Sequence, residues 1–118
     1  MRIISVSNVK GGVGKTTTAA VLSAGLVAEG YRVLMVDSDP QTNLTMCFMQ
    51  EQPDNTPSLY HVYAEGKEID DVKVAVKDGL DLVIGDFELC NADMQFLKAG
   101  RLKILRKAFE NIKSDYDF

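Results

Sequence analysis

The stretch that most constrains the fold is a glycine-rich segment near the amino terminus, Asn8 to Thr18, with the sequence NVKGGVGKTTT. Gly11, Gly12 and Gly14 can adopt backbone angles that other residues avoid, so that successive amide groups can curl around an anion. The helical pattern that follows adds unpaired N–H groups and the positive end of its dipole. The segment therefore predicts a phosphate-binding loop.

Two side chains at the end of this loop suit a nucleotide. Lys15 supplies a mobile positive charge for the β- and γ-phosphates, and Thr16 offers a hydroxyl to Mg²⁺. The strict pattern G-x-x-x-x-G-K-[ST] requires glycine where this chain has Val9, so the loop departs from it at that position. A glycine-rich turn with incidental lysines is one alternative. A dinucleotide-binding loop is another, but it requires a third glycine where Thr17 stands.

A second lysine, Lys10, gives the string K-G-G-V-G-K-T-T. This string resembles the deviant Walker A loop of the ParA/MinD/Soj-type ATPases, which implies ATP and Mg²⁺ as cofactors. The resemblance implies that Lys15 holds the phosphates and that Lys10 contacts the partner's phosphates in a nucleotide-sandwich dimer, so both are expected to be catalytic. It assigns nucleotide binding to Gly11, Gly12, Val13, Gly14, Lys15, Thr16 and Thr17.

The loop lies within a strand, helix and strand pattern. The β-branched run Ile3 to Ser7 predicts a first, central strand, and Lys15 to Glu29 predicts a helix with Gly30 as its terminator. Its apolar stripe is expected to comprise Ala19, Val21, Leu22 and Leu26. The run Arg32 to Val36 predicts a second buried strand, which completes one right-handed βαβ unit.

A polar cluster, Asp37-Ser38-Asp39-Pro40-Gln41-x-Asn43, follows the second strand at the sheet edge where ligands of α/β proteins bind. It resembles switch I of the ParA/Soj-type proteins. The resemblance implies that Asp39 positions or activates the attacking water and that Asp37 supports Mg²⁺ through its water shell. The same residue types also suit a turn and a helix cap.

The middle of the chain predicts a short helix capped by Thr56, begun by Pro57 and ended by Gly66. Its apolar residues are expected to face the core: Leu59, Val62 and Tyr63. His61 on this helix has no partner at metal-site spacing, so it is assigned no functional role. A short edge strand is expected around Val74.

The last third predicts a core strand at Leu80 to Gly85 and helices at Phe87 to Leu97 and Gly100 to Ile112. Asp86 and Asn91 are weak site candidates that better suit a turn and a cap. Several basic residues would form a patch suited to DNA phosphates or to a solvated helix face, and the second is favoured: Lys98, Arg101, Lys103, Arg106 and Lys107.

Composition narrows the class of protein further. A chain of 118 residues that is 46% hydrophobic fits at most one domain, and a net charge of -4 argues against a generally basic nucleic-acid surface. Cys47 and Cys90 are in no C-x-x-C arrangement, so they predict free thiols rather than a metal site. No run is long enough for a signal peptide or a membrane span, so we expect a cytoplasmic protein.

The closing residues, Lys113 to Phe118, resemble the family's approach to the strand that ends in the Walker B aspartate. Residues 1–118 are therefore expected to be the amino-terminal part of a single P-loop ATPase domain. The expected fold is α/β, a P-loop NTPase-like, mostly parallel sheet flanked by helices and truncated before the Walker B strand. Such a half-sheet would leave an unpaired edge for self-association or a partner chain.

The function that this resemblance implies is that of an ATP-binding and hydrolysing switch in chromosome or plasmid partitioning. The implied partners are a second copy bound through the nucleotide face, a ParB-like regulator and non-specific DNA. Two alternatives remain open. One is another deviant Walker A ATPase, of the nitrogenase iron protein type or the arsenite and tail-anchored-protein type. The other is a nucleotide-binding module without turnover.

Overall fold

The computed structural model describes residues 1–49, 55–90 and 103–118. In this part of the chain, three helices follow the first strand, and one helix follows the last two strands. The elements in chain order are α1 (Lys15–Ala28), β1 (Val33–Val36), α2 (Asn43–Phe48), α3 (Leu59–Glu65), α4 (Ile69–Val72), β2 (Lys73–Lys77), β3 (Leu80–Val83) and α5 (Ile104–Asn111).

The strands form one sheet in the order β1-β3-β2. β1 and β3 are parallel, with Val33 opposite Leu80 and Val36 opposite Val83. β2 joins β3 antiparallel as the predicted edge strand, with a register shift between Ala75 and Lys77. The α/β prediction is confirmed, and the small sheet combines one parallel and one antiparallel pair.

Each face of the sheet carries its own apolar cluster, because successive side chains of a strand point to opposite faces. From β1, Val33 and Met35 pack on the side of α1, whereas Leu34 and Val36 pack on the side of α3 and α5. The first cluster is formed by Val33, Met35, Leu44, Leu80, Leu82 and Ile84. The second is formed by Leu59, Val62, Ile69, Val72, Val83, Leu89, Ala108, Ile112 and Tyr116.

Helix α1 matches its predicted bounds but turns a slightly different face to the sheet. Four of its residues pack against the first cluster: Ala19, Ala20, Leu26 and Val27. Val21 and Leu22 are 66% and 39% exposed, so placing them in the apolar stripe was wrong. Gly30 follows the helix with φ 88°, the left-handed conformation expected of a helix terminator.

The predicted first strand, Ile3 to Ser7, is not a strand in this structure. The carboxyl-terminal residues lie between it and β1: the Arg2 amide donates to the Asp117 carbonyl at 2.7 Å, and the Leu34 amide donates to the Phe118 carbonyl at 3.0 Å. Beyond Arg2 the segment has no neighbouring strand among the described residues, so Ile3 is 68% exposed. The predicted βαβ unit is therefore incomplete.

Helix α3 is capped by Ser58, so the prediction of a Thr56 cap was wrong. The Ser58 amide donates to Nδ1 of His61 at 3.1 Å, which completes a capping box and gives His61 a structural role. The Ser58 hydroxyl donates to Asp86 at 2.9 Å, and Asp86 also accepts the Glu88 amide at 2.9 Å. Asp86 thus acts in a turn, and Gly66 ends the helix with φ 71°.

The two helices predicted for the last third of the chain fall only in part on residues that the structure describes. A turn at Phe87 leads into helical residues at Leu89, and the rest of that predicted helix lies outside the described residues, as do Asn91, Lys98 and Arg101. In α5, Leu105 and Phe109 pack against the second cluster. The basic residues of this helix that the structure describes are exposed: Lys103, Arg106 and Lys107. None of the described helices is long and apolar enough to cross a membrane.

A polar contact fastens the carboxyl-terminal segment to the sheet. The buried Tyr116 hydroxyl donates to Asp81 of β3 at 2.5 Å, and the Lys73 ammonium lies 5.6 Å from the centre of the Tyr116 ring. Burial, followed by the bond to Asp81, raises the pKa of Tyr116 to about 12. The pKa of Lys73 is raised as well, chiefly by its hydrogen bond to Asp70.

We expect Tyr116 to make the fold sensitive to alkali. The pKa of Tyr116 is raised from 10.0 to about 12 in the folded protein. Its contribution to the free energy of unfolding is therefore complete below pH 10 and is lost as the pH rises through 12. Tyr116→Phe should lower the free energy of unfolding at pH 8 by about 1 kcal/mol and flatten its alkaline decline. Urea unfolding followed by circular dichroism measures both, with the exposed Tyr31→Phe as control. An unchanged decline in Tyr116→Phe would contradict this assignment.

Candidate functional site

The glycine loop has the backbone that its sequence predicts. Gly12 and Gly14 have φ values of 70° and 87°, in the left-handed region that favours glycine. The Asn8 side chain accepts the Lys10 amide at 2.9 Å, and the Lys15 ammonium donates to the Lys10 carbonyl at 3.3 Å. These contacts fold the loop over the first turn of α1.

The concave side of the loop has room for a ligand. A Cβ atom built on Gly11, Gly12 or Gly14 meets nothing within 4 Å, so backbone conformation rather than crowding requires glycine at positions 12 and 14. Helix α1 starts after Gly14 without a side-chain cap. Its first intrahelical bond is donated by Thr18, which leaves the N–H groups of the first turn available to an anion.

The end of β1 contributes a buried carboxylate. Asp37 is 3% exposed, and its Oδ2 accepts hydrogen bonds from both the amide and the hydroxyl of Thr45, at 2.8 and 2.7 Å. Its Oδ1 accepts the Asp39 amide at 3.1 Å. The Thr45 hydroxyl in turn accepts the Gly85 amide at 2.9 Å. This chain of bonds joins the end of β1, α2 and the segment after β3.

Asp39 lies two residues further along the same turn and is only partly buried. One carboxylate oxygen accepts the Gln41 amide at 2.9 Å, and its carbonyl accepts the Thr42 amide at 2.9 Å. Asp39 therefore helps to form the turn that leads into α2. This agrees with the alternative interpretation of the segment as a turn and helix cap. No hydrogen bond to the other carboxylate oxygen is found in the described part of the chain.

One cleft lies between the first turn of α1 and the end of β1. It has a volume of about 320 Å³ and runs between the amino-terminal segment, α1 and β1, with Leu105, Phe109 and Phe118 also in its lining. Most of the lining is apolar, and the polar groups form only a part of it. Lys15 and Thr16 line it from α1, and Asp37 and Asp39 line it from the turn after β1. A lysine, a hydroxyl and carboxylates around one cavity match the groups that hold a phosphate and its magnesium ion, so the donor set fits both.

Several predicted residues lie outside this cleft. Lys10 is exposed on the loop, and Gly11, Gly12, Val13, Gly14 and Thr17 belong to the loop or the first helical turn without lining the cavity. Sequence reasoning missed Thr45, which lies eight residues after Asp37 in the chain and touches it only through the turn into α2. No spacing rule points to such a contact.

The structure offers little support for a metal site made from protein ligands alone. Within residues 1–49, 55–90 and 103–118, no group of three or more His, Cys, Asp or Glu side chains is placed to hold a metal ion. Cys47 and Cys90 are free and exposed.

The fold and the glycine loop before α1 are those of an α/β protein of the P-loop class. Comparison with known proteins agrees: the family described as AAA domain (AAA_31) matches residues 1–118. The sporulation initiation inhibitor protein Soj of Bacillus subtilis is 35% identical over 99% of this chain, and the chromosome partitioning protein ParA of Caulobacter vibrioides is 34% identical over 98%. The chain belongs to the ParA/Soj-type family of P-loop ATPases.

A solved structure supports the fold independently. Cobyrinic acid a,c-diamide synthase from Mycobacterium smegmatis, with a bound ATP analog and magnesium, superposes with a TM-score of 0.84 at 37% identity. The match covers 94% of this chain and 46% of that one. The chain likewise spans 47% of Soj and 44% of ParA, so it corresponds to about half the length of these relatives.

The close packing at Gly85 gives a prediction about the site's stability. A Cβ at this position would lie 3.0 Å from the Asp39 carbonyl oxygen and 3.1 Å from the Asp37 carboxylate carbon. Gly85→Ala should therefore lower the free energy of unfolding by about 1–3 kcal/mol. Gly25→Ala in α1, where a Cβ meets nothing within 4 Å, should raise it slightly. Denaturant unfolding compares the two, and equal stabilities would contradict the packing argument.

Proposed function

We propose that this chain is the amino-terminal part of an ATP-binding and hydrolysing switch protein of the ParA/Soj type, which acts in chromosome or plasmid partitioning. The observation that carries the proposal is the cleft in which Lys15 and Thr16 of α1 meet Asp37 and Asp39 of the turn after β1. Phosphate-binding and magnesium-binding groups thus come from two separate motifs of the sequence and line one cavity.

The glycine loop and the polar residues of the cleft have separate proposed roles. The loop amides from Gly11 to Thr17 and the Lys15 ammonium bind the phosphates, because they present N–H donors and positive charge on one side. The Thr16 hydroxyl and, through water, the Asp37 carboxylate hold the magnesium ion. Bound ATP and Mg²⁺ supply the phosphoanhydride bond and the divalent charge that offsets the negative charge at the phosphates.

Asp39 is proposed to orient the attacking water. Asp39 lines the cleft at the end of β1, and the hydrogen bond from the Gln41 amide fixes one of its carboxylate oxygens. Phosphoryl transfer depends chiefly on positioning and charge neutralisation, so an oriented carboxylate and a cationic loop suit slow turnover.

Lys10 is proposed to act on a second copy of the protein. It is exposed on the outside of the loop, whereas Lys15 lines the cleft. This division supports a homodimer that forms through the nucleotide face and depends on ATP. A ParB-like regulator and non-specific DNA would be further partners of the full-length protein in the cytoplasm.

The cleft also supports the proposal that residues 1–118 are one part of a larger domain. Asp117 and Phe118 already bond to the backbone on both sides, at Arg2 and Leu34. A following strand would continue between the amino-terminal segment and β1, parallel to β1. It would fill the apolar part of the cleft, which these two segments line, and leave the part at Lys15, Thr16, Asp37 and Asp39 for the nucleotide. It would shield Ile3 and Ile4, and it would bring the Walker B carboxylate to the same sheet edge as Asp37.

Two alternative functions predict different observations. A nitrogenase iron protein-like ATPase needs cluster cysteines, which would give the full-length protein an iron-sulfur absorbance. A nucleotide-binding module without turnover would bind ATP and release no phosphate. Within the superfamily, the D-x-D-P-Q-x-N segment after β1 resembles the partition branch rather than the septum-site regulators.

Phosphate release by the full-length protein tests the proposal. We expect hydrolysis that requires Mg²⁺ and disappears in Lys15→Ala, together with a loss of nucleotide affinity of about tenfold or more, because a charged donor to the phosphates is removed. The exposed Lys77→Ala on β2 is the matched control and should behave like the unmodified protein. Binding without phosphate release would favour the module without turnover.

The role of Lys10 can be separated from that of Lys15. Lys10→Ala should leave nucleotide binding by the monomer intact and abolish dimerisation with ATP, because its positive charge is needed only by the partner's phosphates. Fluorescent nucleotide titration measures the first property and light scattering the second. An ATP-dependent dimer of unchanged mass in Lys10→Ala would rule out the role across the dimer.

A further inference from the structure

A buried threonine between the end of β1 and the segment after β3 has no role in the proposed function. Thr45 is 2% exposed and lies in α2, outside both motifs of the cleft. Its hydroxyl contacts the Asp37 carboxylate on one side and the Gly85 amide on the other. We propose that Thr45 is a positioning residue, which orients Asp37 for the magnesium ion and links that orientation to the end of β3.

The direction of the hydrogen bonds fixes the arrangement. The Gly85 amide is a donor, so the Thr45 oxygen must accept from it, at 2.9 Å. The single hydroxyl proton of Thr45 is then directed to Oδ2 of Asp37, at 2.7 Å. The Thr45 amide donates to the same oxygen at 2.8 Å. Two donors from one residue therefore define the plane and the rotation of the carboxylate.

This arrangement leaves the two carboxylate oxygens of Asp37 with different tasks. Oδ2 is occupied by Thr45, whereas Oδ1 accepts only the Asp39 amide among the contacts of the described residues, at 3.1 Å. Asp37 and Thr16 both line the cleft. A carboxylate held in this way presents Oδ1 to the water shell of a cation without having to reorganise.

Gly85 packs closely against the Asp37 carboxylate. Its missing side chain leaves space that the Asp37 carboxylate approaches, since a Cβ there would lie 3.2 Å from Oδ2. Any displacement of the segment after β3 would therefore move the Thr45 hydroxyl and Asp37 together. The bond from Gly85 to Thr45 makes the end of β3 part of the support of the magnesium carboxylate.

The inference rests on the proposed function, and the test uses the full-length protein. Thr45→Val keeps the shape but removes the hydroxyl, and Thr45→Ser keeps the hydroxyl. Thr45→Val should raise the Mg²⁺ concentration at half-saturation by about tenfold or more, measured by fluorescence of bound N-methylanthraniloyl-ATP. Nucleotide affinity in EDTA should not change. Thr45→Ser should keep the Mg²⁺ requirement of the unmodified protein.

A second measurement follows the contact itself. Amide hydrogen exchange at Gly85 should accelerate in Thr45→Val and stay slow in Thr45→Ser, whether or not nucleotide is present. If Thr45→Val does not fold, Thr45→Cys takes its place, because a thiol of similar size is only a weak donor. In Asp37→Asn, removal of the Thr45 hydroxyl should add no further change in Mg²⁺ requirement, because Thr45 acts through Asp37.

The outcomes separate the two proposals. A full-length protein without Mg²⁺-dependent nucleotide binding contradicts the proposed function and, with it, this role of Thr45. Normal binding in the unmodified protein, with an unchanged Mg²⁺ requirement in Thr45→Val or Thr45→Cys, contradicts only the role of Thr45. A raised requirement that Thr45→Ser shares would also overturn it, because the effect would then not depend on the hydroxyl.

Discussion

The arrangement of the sheet edge depends on one buried carboxylate. Asp37 is removed from water, and a charge in that position is tolerable only when neighbouring groups replace the lost hydration. Here backbone amides and a hydroxyl do so, from Asp39 and Thr45. Because those donors belong to the turn after β1 and to α2, the charge can be satisfied only when both elements are correctly placed.

The phosphate loop is held in a different manner. Its glycines are exposed, and its described hydrogen bonds are short-range, between Asn8, Lys10 and Lys15. Helix α1 connects it to the sheet through residues such as Leu26 and Val27. The separation between Lys15 and Asp37 therefore follows from how α1 packs on β1, whereas the position of Asp37 itself follows from polar contacts.

The sequence was sufficient wherever local chemistry decides the outcome. The bounds of α1, the strands at β1 and β3, and the left-handed residue Gly30 follow from periodicity and glycine stereochemistry. The two motifs were expected at one sheet edge because parallel strands end on the same side, although the strand expected before the glycine loop does not form. Residue pairs such as Thr45 with Gly85 or Ser58 with Asp86 were not predictable, since they depend on tertiary approach.

The prediction of a strand at Ile3 to Ser7 was wrong because a strand, too, depends on tertiary contacts. Its composition suits a strand, but a strand exists only through hydrogen bonds to a neighbour, and composition does not indicate whether that neighbour is present. Asp117 and Phe118 provide such bonds only at Arg2. The exposed side chains of Val21 and Leu22 show the same limit for a helix, because periodicity predicts a stripe but not its full width.

The two edges of the small sheet differ in what they can accept. At β2, lysines at both ends and the register shift between Ala75 and Lys77 interrupt the regular ladder that an approaching strand would need. At β1, the Leu34 amide is already engaged by an extended segment on its far side. The two edges are therefore not equivalent. Further strands can be added on the β1 side of the sheet, whereas the β2 edge does not accept another strand.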